Sequence, residues 1–309
     1  MTPLSSVPPS MRMKDWFVLT FLSSLWGSSF FFIEIIIRDI PTITLVAIRL
    51  ILSAVILYLI LLISGKNLRL DKSLVVAFFV MGLLNSILPY SLIAWGQHYV
   101  SSGMSATLIA STPLLTVIAA HYLTPDEKAT ANKIIGVIVG FLGVAIMLKD
   151  QFSVDDSELL IGKIAMIIAA SCYASGAIYS KKVSKYGMSP IETATGQMAA
   201  GAILLTPFAL VIDQPWLLPT PSLDTVLAML GLVLLSSVLA YILFFKLMKT
   251  AGVTNLILVA FLIPVSSIIL GVLFLNENFT LAHALGMLFI GVSLTIIDGR
   301  ALKSLRKAH

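Results

Sequence analysis

Two charged side chains, Glu34 and Arg49, lie within long apolar stretches of the sequence. A charge in an apolar environment is costly unless it is paired and hydrogen-bonded. The two residues lie at similar depths in consecutive predicted helices, and antiparallel packing can bring them together. One interpretation is an ion pair at the outer mouth of a cavity, where it gates the cavity or meets a zwitterionic ligand. The other is structural: Arg49 extends outward to water, and Glu34 pairs with Arg38 one helical turn away.

Hydroxyl, amide and aromatic side chains recur on the faces of several apolar stretches. Ser23, Gly27, Phe30 and Glu34, for example, recur at the spacing of one helix face. Such a mixture suits a site for a small organic molecule with a ring or an aliphatic part. The alternative is that the small polar residues merely permit close helix packing. The candidate substrate-binding residues are Trp26, Phe30, Glu34, Arg49, Asn85, Tyr90, Ser105, Tyr173, Tyr179 and Tyr241.

Two prolines inside apolar stretches, Pro113 and Pro264, are candidate gating or helix-breaking residues. Each lacks an N–H group and therefore frees a backbone carbonyl one turn earlier in its helix. No phosphate-binding loop, nucleotide fingerprint or His/Cys metal cluster is found in the sequence. Cys172 lies in an apolar stretch and is interpreted as a small packing residue. We therefore predict no catalytic residues, no metal, no cofactor and no ATP hydrolysis by this chain.

The elements that must position these residues follow from composition. The chain has 309 residues, of which 58% are hydrophobic and 11% are charged, and its mean hydropathy is +1.01. A soluble fold of this length cannot hide so much apolar surface, so we predict an all-α membrane protein in a lipid bilayer. The predicted spans are Trp16–Ile37, Ile43–Ile63, Leu74–Ala94, Ser102–Leu123, Lys133–Leu148, Leu160–Ser180, Pro190–Ile212, Thr225–Phe245, Val253–Leu275 and Leu281–Ile297.

The distribution of basic residues predicts the orientation of these ten spans. Most of the 20 Lys and Arg residues fall in loops on one side, and the acidic residues 150–158, Asp213 and Asp224 fall on the other. Cytoplasmic loops carry the excess of Lys and Arg, so both termini are predicted to be cytoplasmic. The net charge of +5 is thus explained by topology and does not indicate nucleic-acid binding.

An offset of 151 residues relates two halves of the chain. It superimposes Tyr90 on Tyr241 and Pro113 on Pro264 without a gap. We predict a tail (1–15), a five-helix repeat (16–148), an extracytoplasmic linker (149–159), a second five-helix repeat (160–297) and a basic tail (298–309). An odd number of spans in each half makes the repeats inverted, which is the usual build of secondary transporters.

Several segments together resemble the drug/metabolite transporter superfamily, and its EamA-type domains in particular. The first two spans contain LWGSSFFFIEIII and LVAIRLILSAVIL, and the ninth and tenth spans read LVAFLIPVSSIILGVLFLNENFTLAHALGMLFIGVSLTII. The resemblance implies a ten-helix inverted repeat in which helices 1–4 and 6–9 surround a central cavity and helices 5 and 10 are peripheral. The segment HYLTPDEKAT departs from the family pattern, so no role is carried over to Glu127.

We predict a non-ATP transporter in the cytoplasmic membrane that exports small organic metabolites, with amino acids or related compounds as candidates, by alternating access. Two alternatives stay open at this point: an integral-membrane enzyme acting on lipid, and a channel-like facilitator. The predicted partners are a small-molecule substrate and the bilayer, and the chain is a monomer or a homodimer. A G-x-x-x-G motif at Gly136 and Gly140 marks either a dimer seam or, as we prefer, packing within the chain.

Overall fold

The computed structural model describes residues 12–123, 130–148, 157–256 and 258–298, and within those ranges the regular structure is helical. Most of the two predicted tails, most of the predicted linker and Glu127 lie outside the described residues. The helices are α1 (Met13–Ile36), α2 (Thr42–Ile63), α3 (Lys72–Gly82), α4 (Leu88–Gly96), α5 (Ser102–Ile109), α6 (Thr112–Leu123), α7 (Ala131–Met147), α8 (Ser157–Ser184), α9 (Pro190–Ile212), α10 (Leu223–Val233), α11 (Ala240–Ala251), α12 (Val253–Leu256), α13 (Val259–Phe274) and α14 (Leu281–Asp298).

Within the described ranges, seven helical stretches are long and apolar enough to cross a bilayer. Three of them are composite: α3 with α4, α5 with α6, and α10 with α11. Three shorter apolar helices, Ala131–Met147, Val259–Phe274 and Leu281–Ile297, have 10–17 residues. These ten stretches lie where the ten spans were predicted. It remains a prediction that the three shorter ones cross the bilayer.

Large apolar side chains cover the outside of the helical bundle. Ile138 and Leu142 on α7, Leu59 on α2 and Ile164 on α8 are each about half exposed. Soluble proteins rarely expose contiguous apolar surface on this scale, because it would drive association. The surface therefore requires lipid as its solvent.

Two segments of π-helix interrupt composite spans, Leu83–Ile87 between α3 and α4 (the first π segment) and Leu234–Leu239 between α10 and α11 (the second π segment). The second begins 151 residues after the first, which is the offset found in the sequence. Pro89 accounts for the first, because it cannot donate to the carbonyl of Asn85 four residues earlier and the ladder must rearrange. Both halves thus carry a local widening of the helix at the same position in their sequence.

Close packing between α7 and α14 uses glycines on both helices. A Cβ atom on Gly143 would lie 2.8 Å from the carbonyl oxygen of Gly286, and one on Gly136 would lie 2.3 Å from a side-chain carbon of Ile297. Ser293 also donates to the carbonyl of Gly136 at 2.6 Å. The Gly136 face of the G-x-x-x-G motif therefore packs against a helix of the same chain, as we preferred.

Two carboxylates connect the halves at the end of α1 remote from Met13. Asp39 accepts hydrogen bonds from the backbone N–H of Ser222 at 2.9 Å and from the hydroxyls of Ser222 and Thr225 at 2.6 and 2.7 Å, where α10 begins. Asp213 accepts from the N–H and the hydroxyl of Thr44, both at 2.8 Å, where α2 begins. Carboxylates are stabilised at helix N-termini, whose N–H groups have no intrahelical partner. We call these two contacts the cross-half caps.

Candidate functional site

A cavity with about 710 Å³ of empty space, part of it open to solvent, lies among α1, α2, α4, α5, α6, α8, α11, α13 and the first π segment. No described residue of α7 or α14 lines it, which agrees with the peripheral position expected for the fifth and tenth spans. Seven of the ten predicted substrate-binding residues line the cavity: Trp26, Phe30, Arg49, Asn85, Tyr90, Tyr173 and Tyr241. The site therefore draws residues from both halves of the chain.

Arg49 is buried at the cavity, with 3% of its surface exposed. Its Nε donates to the hydroxyl of Ser237 at 2.8 Å, and Nη2 lies 3.5 Å from the carbonyl oxygen of Ser236. The guanidinium carbon lies 3.6 Å from the centre of the Tyr90 ring, which is a cation–π contact. Both serines belong to the second π segment, so that segment holds the arginine of the other half.

Tyr241 of the second half makes the corresponding contact with the first π segment. Its hydroxyl donates to the backbone carbonyl of Asn85 at 2.9 Å. This is the carbonyl that Pro89 leaves without its usual helical donor. In an apolar interior a carbonyl without a partner is costly, so the bond ties the first half to the second.

A buried network of amides and hydroxyls surrounds Asn85. The Asn85 side-chain NH₂ donates to the Ser180 hydroxyl at 2.9 Å and to Gln197 Oε1 at 3.2 Å. Gln197 in turn donates to the Ser86 hydroxyl at 3.0 Å. The network fixes the first π segment against α8 and α9.

Three aromatic rings form one wall of the cavity. The Trp26 ring centre lies 5.4 Å from that of Phe244 and 5.9 Å from that of Tyr241, and the Tyr241 and Phe244 centres are 5.8 Å apart. Rings at these separations pack favourably and present flat apolar surface. Phe244 was missed in the sequence, although its position three residues after Tyr241 places both on one helix face.

Three buried hydroxyls make no hydrogen bond of standard geometry among the described residues. They belong to Ser53 and Ser105, which do not line the cavity, and to Tyr90, which lines it and is 3% exposed. A buried hydroxyl without a partner is uncommon in folded proteins. The Tyr90 hydroxyl is thus available to a molecule in the cavity.

Three predicted site residues, Glu34, Ser105 and Tyr179, do not line the cavity. Glu34 accepts a hydrogen bond from Gln97 Nε2 at 3.3 Å, and the same nitrogen donates to the carbonyl of Phe30 at 2.9 Å. The ion pair between Glu34 and Arg49 that similar depths suggested is absent among the salt bridges of the described chain. The reason is that each side chain has a neutral partner on another helix: Gln97 for Glu34, and Ser237 for Arg49.

The two prolines have different local effects. Helix α5 ends at Ile109, four residues before Pro113, and α6 begins at Thr112. The Thr112 hydroxyl donates to the freed carbonyl of Ile109 at 2.6 Å. Pro264 lies inside α13, which continues through it. A gating role for either proline is not tested by these positions and stays a prediction.

The electrostatics of the cavity are dominated by one cation. Arg49 is the only charged side chain among the residues that line it in the described chain. Within the same described ranges, no group of three or more His, Cys, Asp or Glu residues could hold a metal ion. The arrangement suits binding of an uncharged or anionic organic molecule by aromatic contact, hydrogen bonding and one positive charge.

Comparison with known proteins was made against family models and curated sequences. The model of the EamA-like transporter family matches residues 15–149 and again residues 160–297. The uncharacterized transporter YoaV of Bacillus subtilis (strain 168) is 25% identical over 271 residues, covering 86% of this chain and 90% of YoaV. Protein PecM of Dickeya dadantii (strain 3937) is 27% identical over 305 residues, covering 96% of each chain. The uncharacterized inner membrane transporter YedA of Escherichia coli (strain K12) is 26% identical over 249 residues, covering 80% of this chain and 78% of YedA.

A solved crystal structure shares the fold. It aligns with a TM-score of 0.73 at 18% identity, covering 93% of this chain and 98% of that chain. A sequence identity of 18% with this TM-score supports a shared fold and gives no information about a shared ligand. The architecture is the same over nearly the whole length of both chains.

Proposed function

The chain belongs to the EamA-like transporter family, within the drug/metabolite transporter superfamily, and from this premise we propose that it exports small organic metabolites across the cytoplasmic membrane without ATP. Amino acids or related compounds are the candidate substrates. The observation that carries the proposal is the cavity, because it is buried in the bundle and both halves of the chain line it. Sites of secondary transporters lie where two repeats meet.

The proposed mechanism is alternating access by two inverted five-helix repeats, with both termini in the cytoplasm. Support comes from the two family-model matches in succession and from the two π segments at one offset. The cross-half caps supply contacts that form and break as one half rocks against the other. Seven candidate residues line the proposed binding site, and Pro113 and Pro264 are proposed to permit bending of the spans around it.

Counterflow tests the proposal. Purified protein is reconstituted into liposomes loaded with amino acids, nucleosides, amines and organic acids, and mass spectrometry measures which compounds leave or exchange. We expect saturable movement of a few compounds, absent from protein-free liposomes and reduced by Arg49→Gln. Unsaturable loss of all compounds would indicate a channel-like facilitator, and no movement together with altered lipids would indicate a lipid-active enzyme.

A further inference from the structure

The positive charge of Arg49 has no counter-ion in the cavity. Its contacts are the Ser237 hydroxyl, the Ser236 carbonyl and the Tyr90 ring, all of which are neutral. No carboxylate is among the lining residues in the described part of the chain, and Glu34 is bonded to Gln97 outside the lining. Leaving a buried charge unpaired is strongly unfavourable. An anion bound in the cavity would offset the charge of Arg49 more fully than these neutral contacts do.

A second donor points to the same kind of ligand. The Tyr90 hydroxyl is buried, lines the cavity, lies beside the Tyr241 hydroxyl and makes no hydrogen bond of standard geometry among the described residues. Its ring contacts the Arg49 guanidinium, so both groups belong to one part of the cavity. The guanidinium has five N–H donors, of which the described contacts use two. Free N–H and O–H donors beside a positive charge match the two oxygens of a carboxylate.

The rest of the described lining has no carboxylate to pair with an ammonium ion, and its polar side chains, such as Asn85 and Thr112, are neutral. Around the wall of Trp26, Phe244 and Tyr241 it is aromatic and aliphatic. These rings and aliphatic side chains offer apolar surface against which a flat organic molecule can pack. An amine on that body would add a second positive charge near Arg49, with no described carboxylate to offset it.

Resting on the transporter function above, we propose that the substrates are organic carboxylates with a flat apolar body, recognised at the carboxylate by Arg49 and Tyr90. An α-amino group is not required. A carboxylic acid should therefore bind at least as tightly as the amino acid with the same skeleton. A cavity that selects zwitterions would instead bind the amino acid more tightly than the carboxylic acid.

Equilibrium binding to full-length protein in lipid nanodiscs tests the proposal independently of transport. The probes are indole, phenyl and naphthyl skeletons, each as the propionate, the propionamide, the ethylamine and the α-amino acid. We expect at least one propionate to bind about tenfold or more tightly than its amide and amine, and no less tightly than its amino acid. Sodium chloride and sodium gluconate at equal ionic strength show whether an inorganic anion occupies the same place.

Two variants test whether Arg49 and Tyr90 are the groups that bind the carboxylate. Arg49→Gln should abolish the preference for the propionate over its amide. Tyr90→Phe should weaken propionate binding about threefold to tenfold. The variant should still fold, because phenylalanine keeps the ring that contacts Arg49 and the hydroxyl makes no hydrogen bond of standard geometry among the described residues. Tyr90→Phe keeps the test decisive if Arg49→Gln does not fold.

Several results would overturn the inference. They are equal binding of amide and acid, tighter binding of the amine, no binding by any probe, displacement by chloride alone, and unchanged affinity in Tyr90→Phe. Counterflow separates the two proposals. Saturable transport of amines with no carboxylate binding would leave the transporter function standing, and carboxylate binding without any flux would leave this inference standing.

Discussion

Single residues of the site depend on partners from the other half of the chain. Ser237 is the clearest case, because its hydroxyl accepts from Arg49 Nε and donates to the carbonyl of Leu232 at 3.2 Å. It fixes the guanidinium at the cavity without lining the cavity itself. We regard Ser237 as a positioning residue.

Ser237→Ala should therefore weaken carboxylate binding roughly tenfold, since a hydrogen bond to a charged group contributes about 1.5 kcal/mol or more. Ser237→Thr keeps a hydroxyl and should restore most of the affinity. The matched control is Ser86→Ala in the first π segment, which is equally buried and bonds to Gln197 instead of Arg49. Equal losses in Ser237→Ala and Ser86→Ala, measured in nanodiscs, would indicate a general packing effect.

Asp39 permits a prediction about pH. The hydroxyls of Ser222 and Thr225 and the Ser222 backbone N–H lower the pKa of the Asp39 carboxyl to about 2. Because the folded-state pKa is depressed, the contact contributes its full stability above the ordinary pKa near 4 and loses it as the pH falls through about 2. Asp39→Asn should thus leave the shape of the transport profile between pH 5 and 8 unchanged. A profile that flattens in this variant would show that Asp39 titrates during transport.

At the scale of helices, the packing of α7 against α14 depends on a close approach of the two backbones. A Cβ on Gly286 would lie 2.6 Å from the carbonyl of Gly143 and 2.3 Å from Met147 Cγ. Gly286→Ala should destabilise the protein by about 1–3 kcal/mol, because the backbone contact cannot relax cheaply.

Gly291 is the matched control on the same helix. A Cβ there has no neighbour within 4 Å. Gly291→Ala should be neutral or stabilising by up to about 1 kcal/mol through its higher helix propensity. Thermal unfolding in one detergent compares the two variants, and equal midpoints would mean that α7 and α14 do not pack in this register.

The helices themselves were largely predictable. Hydrophobic stretches long enough for a bilayer leave few choices, and the span Pro190–Ile212 was predicted with the bounds it has in the structure. Pro113 was named as a helix-breaking candidate, and α5 ends at Ile109, whose carbonyl accepts from Thr112. The π segments were not predicted, because the donor to the freed carbonyl of Asn85, Tyr241, comes from a distant part of the chain.

The site was predictable in part for the same reason. Tyr90 and Tyr241 stood out because the offset repeats them, and both line the cavity. Gln197 was missed, since a lone amide in an apolar stretch gives no sign of the Asn85 and Ser86 groups that it joins. The predicted ion pair between Glu34 and Arg49 was wrong. It rested on their similar depth in the membrane, and depth does not specify which faces of two helices are in contact.

At the scale of the whole molecule, the cross-half caps connect the two family-model regions at one end of the bundle. Replacement of Asp39 and Ser222 by cysteine, in a Cys172→Ala background, should allow a cross-link there, because Asp39 Oδ2 lies 2.9 Å from the Ser222 nitrogen. If the halves rock against each other, the cross-link should abolish counterflow and a reducing agent should restore it. The single-cysteine variants are the controls, and full activity in the cross-linked protein would rule out rocking at this end.

The contact between Arg49 and Ser237 also has a consequence for biosynthesis. The two residues are 188 positions apart in sequence. At roughly 5–20 residues per second, the ribosome needs about 10–40 s after Arg49 to make its acceptor. During that time Arg49 can contact Tyr90 of its own half but lacks the Ser237 hydroxyl. Its final set of contacts can form only after the second π segment has been synthesised.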